Sequence, residues 1–295
     1  MENVLKINNI VKKYSGFTLG EINTEIPAGF STALIGANGA GKTTLIDVIC
    51  GVTGMDSGST VYFGGSEGID SSKVRNRIGY CSSVNFFPFD WKLKNIRTSM
   101  ETAFDGFSRE KFAGLCKKFK LGDPDEKKQK SLVKMSDGNR MRAYLAAVLA
   151  RDTNLLVLDE PASSLDPLAR DMLCDMFREY IAEGNGQKSI IFSTHNIADM
   201  EYATDYAIFM ADGRITEQGF VEDLKEKYVL VHGEADKAEE AKKLMLSFNG
   251  NSTNFEGIAP AENTVLLSKL DTAIEKPTLQ QLSVGILRKA EKDGE

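Results

Sequence analysis

The chain of 295 residues carries 42 acidic and 36 basic side chains, a formal net charge of −6, and 42% of its residues are hydrophobic. An acidic balance of this kind argues against a surface that coats nucleic acid, and no nucleic-acid partner is expected. No run approaches the roughly 20 consecutive apolar residues that cross a bilayer. From the N-terminus, Val4 to Ile26 alternates apolar and polar residues and predicts an antiparallel sheet, with Tyr14 within it in K-K-Y-S. Phe30 to Ile35 is a short apolar run bounded by Pro27 and Gly29, which predicts a buried strand. Thr43 to Ile49 predicts a helix that stops near Gly51.

Between that strand and helix lies G-A-N-G-A-G-K-T-T, Gly36 to Thr44. Gly36, Gly39 and Gly41 let the backbone turn tightly, so that N–H groups of the loop, those of Asn38 and Ala40 included, point inward. A nest of donors at a helix N-terminus holds phosphate oxygens, as ATP would present them. Lys42 would reach the β- and γ-phosphates, the Thr43 hydroxyl would sit on Mg²⁺, and Thr44 completes the phosphate-binding loop.

Further along, I-G-Y-C-S-S (Ile78 to Ser83) precedes the aromatic cluster Phe86 to Trp91. The composition then turns helical as far as Ser136, with Phe104, Phe107, Phe112, Leu115, Cys116 and Phe119 supplying apolar faces. M-S-D-G-N (Met135 to Asn139) follows, where a helix starting at Ser136 or Asp137 can present N–H groups to phosphate. Leu155 to Leu158 is a continuous apolar run, as in a parallel strand covered on both faces, and Asp159 and Glu160 stand at its carboxyl end. Two adjacent carboxylates there can divide the work: Asp159 would hold Mg²⁺, directly or through water, and Glu160 would orient or deprotonate the attacking water. Asp171 to Ile181 predicts an amphipathic helix, and Ser189 to Phe192 a strand leading into S-T-H, with His195 at the sheet's functional edge. His232 lies well downstream and reads as structural.

These motifs and their order resemble the nucleotide-binding subunit of an ABC transporter, and the resemblance extends over most of residues 1–220. It implies an α/β fold: a P-loop NTPase core with an antiparallel β subdomain and a helical subdomain at about 84–150. It also implies an ATPase whose two copies, identical or related, close head to tail on ATP. Within it, Tyr14 matches the aromatic that stacks on adenine. Ser136 and Gly138 match signature-loop residues that contact the γ-phosphate in trans. Ser163 to Asp166 matches the D-loop, and His195 the switch histidine. Glu160 and His195 are thus the expected catalytic pair. The family's glutamine after I-G-Y-x-P is here Ser83, which could reach Mg²⁺ only through an added water. The signature is degenerate as well, with Asp137 placing a negative charge near phosphate and Lys134, Arg140 and Arg142 nearby to offset it; slow turnover is expected.

Past Gly219 the nucleotide motifs stop. Val221 to Lys227 predicts a helix, Tyr228 to Val231 a strand, Ala235 to Ser247 a helix, Thr264 to Leu267 a strand and Pro277 to Arg288 a helix, together a small α/β appendage over 221–295. Its E-K-Y-V-L-V and P-T-L-x-x-L features are similar to the bacterial ABC-2 exporter branch of bacitracin-resistance and GntR-operon type. The resemblance implies export through a separate membrane permease, docked at the Phe86 to Trp91 surface, with this chain at the cytoplasmic face of a bacterial membrane. A soluble ATP-gated clamp is the rival reading. Cys50, Cys81, Cys116 and Cys174 are scattered without metal or disulfide spacing, which fits a reducing cytoplasm, and the charged start after Met1 carries no secretory signal.

Overall fold

The computed structural model describes residues 2–82 and 87–294. The first strands, β1 (Asn3–Tyr14) and β2 (Phe17–Pro27), pair as an antiparallel hairpin. After β3 (Ser31–Ile35) and helix α1 (Lys42–Ile49), β4 (Ser57–Tyr62) returns to pair with β1, giving a three-stranded sheet in the order β2-β1-β4. The alternation in Val4 to Ile26 is therefore a true antiparallel sheet, with Leu5, Ile7, Ile10, Leu19, Ile22 and Ile26 buried on one side.

The short helix α2 (Ser72–Asn76) leads into β5 (Ile78–Cys81). Three helices follow before the next strand: α3 (Leu93–Ala103), α4 (Arg109–Lys118) and α5 (Asp137–Leu149). Ser108 caps α4 by accepting the Lys111 N–H at 3.1 Å, and Ser136 caps α5 by accepting the Asn139 N–H at 3.3 Å. Next come β6 (Leu155–Leu158), α6 (Pro167–Glu183) and β7 (Ser189–Thr194), then β8 (Tyr206–Ala211) and β9 (Arg214–Phe220). Asp166 caps α6 and Pro167 opens it, a position where its missing N–H costs nothing.

The central sheet has six strands in the order β5-β6-β7-β3-β8-β9, all parallel except β9. Both faces are covered, so its strands are apolar throughout, yet their period of two still sorts the side chains. Leu34, Leu155, Val157, Ile191 and Ile208 turn to the side of α1 and the antiparallel sheet. Ala33, Ile35, Leu156, Leu158, Phe192 and Phe209 turn to the core shared with α5 and α6.

The remaining elements are α7 (Val221–Lys227), β10 (Tyr228–Glu234), α8 (Ala238–Lys242), β11 (Asn249–Gly250), β12 (Asn254–Pro260), α9 (Thr264–Ser268), β13 (Ala273–Glu275) and α10 (Leu279–Gly294). Their four strands form an antiparallel sheet, β11-β12-β10-β13. Two expectations are corrected here. Thr264 to Leu267 is helical, because a 3-10 turn at Ala261–Asn263 runs directly into it and the Thr264 hydroxyl donates to the Ala261 carbonyl at 2.7 Å. Helix over Ala235 to Ser247 stops at Lys242, and Leu246 instead bonds the β12 backbone at Ile258. The appendage keeps a small core of its own around Val231, Phe255 and Leu267. Helix α10, however, sends Leu279, Leu282 and Ile286 into the main core, and the Leu279 N–H donates to Glu201 at 2.9 Å.

Truncating one of those α10 side chains tests how far the last helix belongs to the whole. Leu282 is fully buried, so Leu282→Ala should cost about 2–5 kcal/mol. Denaturant unfolding followed by fluorescence should show the loss in the main transition, where ATP-binding signal also disappears.

Candidate functional site

Adjacent strands bring the motifs together. β7 lies between β6 and β3, and all three run parallel, so their carboxyl ends share one edge. The loop of Gly36 to Gly41 leaves β3, Asp159 and Glu160 leave β6, and His195 leaves β7. Gly41 at the start of α1 has φ +99°, a conformation that favours glycine. At Gly36 the constraint is space: a Cβ there would lie 2.4 Å from the Met210 carbonyl oxygen.

Lys42 is almost fully buried, at 6% exposure. Its ammonium donates to the carbonyl oxygens of Gly36 at 2.8 Å and Ala37 at 3.0 Å, and stands 3.7 Å from Glu160 Oε1. Burial holds its pKa below the ordinary 10.5, opposed by the charges of Glu160 and Asp159. The Thr43 hydroxyl donates to both Asp159 carboxylate oxygens, at 3.2 and 3.0 Å. Asp159 is buried and also accepts from the Ser193 hydroxyl at 2.6 Å. That same Ser193 oxygen accepts the Glu160 N–H at 2.8 Å. Glu160 has φ +49°, unusual for a residue with a side chain, and its Oε2 lies 2.9 Å from His195 Nδ1. His195 is exposed, so the pair opens towards solvent on one side.

A hydroxyl and a carboxylate in direct contact, beside a buried ammonium and a loop of glycines, fit Mg²⁺ with phosphate. Hard cations of this type take one or two protein oxygens and complete their shell with phosphate and water. Among the described residues no cluster of three His, Cys, Asp or Glu side chains could hold a metal ion.

The other predicted residues fall in two places. Tyr14 ends β1 at 49% exposure, with the Lys12 ammonium 5.6 Å from its ring centroid. Asn38, Gly39 and Ala40 lie in the loop, Asn38 and Gly39 being exposed, and Thr44 is half-buried in the first turn of α1. Ser136 and Gly138 open α5, away from the loop in sequence but packed on the segment after Glu160: a Cβ on Gly138 would meet the Ser164 carbonyl oxygen at 2.8 Å. The charge of Asp137 is offset as expected by Arg140, which pairs with it. Arg142 does something else, pairing with Asp166. Ser83, assigned to the metal, and Phe86 lie outside the described residues. Of the aromatic cluster, Phe89 is exposed, but Phe87 is buried, its ring 5.7 Å from Trp91 and 5.5 Å from Tyr144. Phe87 therefore belongs to the core and not to a docking face.

Sequence reading gave Ser193 no task beyond opening S-T-H. Its signal was a hydroxyl ending an otherwise apolar buried strand, where a polar group persists only with partners.

Comparison with known proteins gives the family. Residues 19–163 match the family model described as ABC transporter. The chain is 32% identical over 215 residues to the lantibiotic transport ATP-binding protein SrtF of Streptococcus pyogenes, covering 72% of this chain and 89% of that protein. It is 27% identical over 216 residues to the Nod factor export ATP-binding protein I of Rhizobium leguminosarum bv. viciae, covering 73% of this chain and 68% of that protein. Against human ATP-binding cassette sub-family A member 10 the identity is 28%, and the match spans only 15% of that longer protein. In fold, the chain is similar to the solved ATP-binding subunit of an ABC transporter, with TM-score 0.65 at 22% identity, covering 75% of this chain and 92% of that one.

Two outcomes test the geometry. Ser193→Ala removes the oxygen that joins Asp159 to the Glu160 backbone, and should lower turnover about tenfold to a hundredfold while nucleotide affinity changes little. For Lys42 the sign follows from its depressed pKa. Nearby phosphate favours the charged ammonium, which is present below the lowered value and lost as pH rises through it. ATP affinity, measured by fluorescence titration, should therefore weaken at pH values still below 10.5, the ordinary lysine value.

Proposed function

This chain belongs to the ABC transporter ATP-binding family, whose members hydrolyse ATP, and on that premise we propose that it is the motor subunit of an exporter whose channel is a separate membrane permease. One observation carries the catalytic part: Glu160 stands between Lys42, 3.7 Å from one carboxylate oxygen, and His195, 2.9 Å from the other. A carboxylate so placed sits where the γ-phosphate would be gripped by Lys42, and can accept a proton from the water that attacks it.

In this reading the loop N–H groups and Lys42 bind the β- and γ-phosphates, and Tyr14 stacks on adenine. Thr43 and Asp159 supply the protein oxygens for Mg²⁺, which neutralises phosphate charge when bound. Glu160 orients the water, and His195 steadies the developing charge on the phosphoryl oxygens. Ser136 and Gly138 act on the nucleotide of a second ATPase subunit, so ATP closes the pair and hydrolysis releases it. No helix among the described residues is long and apolar enough to cross a membrane, and transport thus calls for a membrane-spanning partner. Relatives include both a Nod factor export ATP-binding protein and a petrobactin import ATP-binding protein of Bacillus subtilis, so the choice of export rests on the E-K-Y-V-L-V and P-T-L-x-x-L features of the appendage.

The test is ATP turnover of the chain alone and with the membrane protein that co-purifies from its native cell. Turnover should rise with that partner. It should fall by at least about a hundredfold in Glu160→Gln, which should accumulate as an ATP-bound closed dimer on size exclusion. Lys42→Ala should lose most nucleotide binding. Normal turnover in Glu160→Gln would remove the base role.

A further inference from the structure

Tyr80 has no part in the site described above, yet it connects that site with the helices. Its hydroxyl donates to Asp47 Oδ1 at 3.0 Å. Asp47 lies one helical turn beyond Thr43 on α1, so the two share a face of the helix. Thr43 meets Asp159 there, and the Asp159 charge is close enough to push the Asp47 carboxyl up further, after burial has raised it. Ser82 is buried and stands one residue before Ser83. The phenol thus joins the phosphate-gripping helix to the end of β5.

Its ring borders a further element. A cavity of about 190 Å³ is lined by Tyr80 together with Cys50 at the end of α1, Met100 and Phe104 of the α3 segment, and Val148 of α5. This pocket opens to solvent, and the Tyr80–Asp47 bond runs beside the place where α1, α3 and α5 approach one another.

We infer that Tyr80 is a positioning residue, which through Asp47 transmits nucleotide binding at α1 to the end of β5 and on to α3. In a chain with the shorter Ser83 where its family has glutamine, this linkage runs on the phenol. The inference rests on the proposed ATP-driven cycle, because it concerns how binding at the loop is passed on.

Hydrogen exchange of the full chain, with and without Mg²⁺ and a non-hydrolysable ATP analogue, reads the linkage directly. In the wild type, the analogue should slow exchange about tenfold both in peptides of α1 and in peptides covering Phe87 to Met100. Tyr80→Phe removes only the hydroxyl; it should keep the α1 protection and the analogue affinity while losing the protection at Phe87 to Met100. Asp47→Ala, which leaves the phenol in place without its acceptor, should do the same. A wild type protected at α1 alone would overturn the inference, as would either variant that retains protection at Phe87 to Met100. If transmission is present and depends on Tyr80, but no membrane partner stimulates turnover, the transport reading fails and the linkage stands.

Discussion

A buried carboxylate costs several kcal/mol unless its oxygens are satisfied, and the arrangement of this molecule turns on how Asp159 meets that demand. Thr43 donates to it from α1 and Ser193 from β7, while its own N–H donates to the Cys81 carbonyl at the end of β5. One side chain and its backbone therefore fix the relative positions of the loop before α1, the β6 end, β7 and β5. Glu160 inherits its place from the same contacts. Ser193 joins the Asp159 carboxylate to the Glu160 backbone, and the strained backbone of Glu160 persists because Ser193 holds its N–H from outside.

The sequence makes the central sheet legible for a simple reason: parallel strands covered on both faces must be apolar throughout, and their ends are the places where polar residues stand out. Phe30 to Ile35, Leu155 to Leu158 and Ser189 to Phe192 were each recognisable in that way, and each carries its motif at the expected end. Less was legible where the decisive contact is between residues distant in sequence. Nothing local in Tyr80 or Asp47 announces their bond, 33 residues apart. Thr264 to Leu267 has the β-branched and aliphatic composition of a strand, yet the preceding turn delivers the chain to it already wound. Phe87 sits in an aromatic run that looks like a surface patch, and only the position of Tyr144 on α5 shows it to be interior.

The departures from the family pattern have different physical weights. Asp137 is neutralised within its own helical turn by Arg140, so its charge is largely cancelled at the mouth of α5. Arg142, which the sequence offered for the same task, is instead committed to Asp166 at the cap of α6. With Gly138 pressed on the Ser164 carbonyl, this ties the beginning of α5 to the segment that follows Glu160. The part of the chain proposed to reach a second subunit's nucleotide is thus mechanically joined to the part that handles its own.

Helix α10 covers the main core. Its Leu279, Leu282 and Ile286 close an apolar face that the central sheet and α7 would otherwise offer to water, and Glu201 holds its first turn from a position six residues after His195. Cutting the chain before α10 would expose that face to solvent, so a shortened protein should be more prone to aggregate than one cut elsewhere in the appendage.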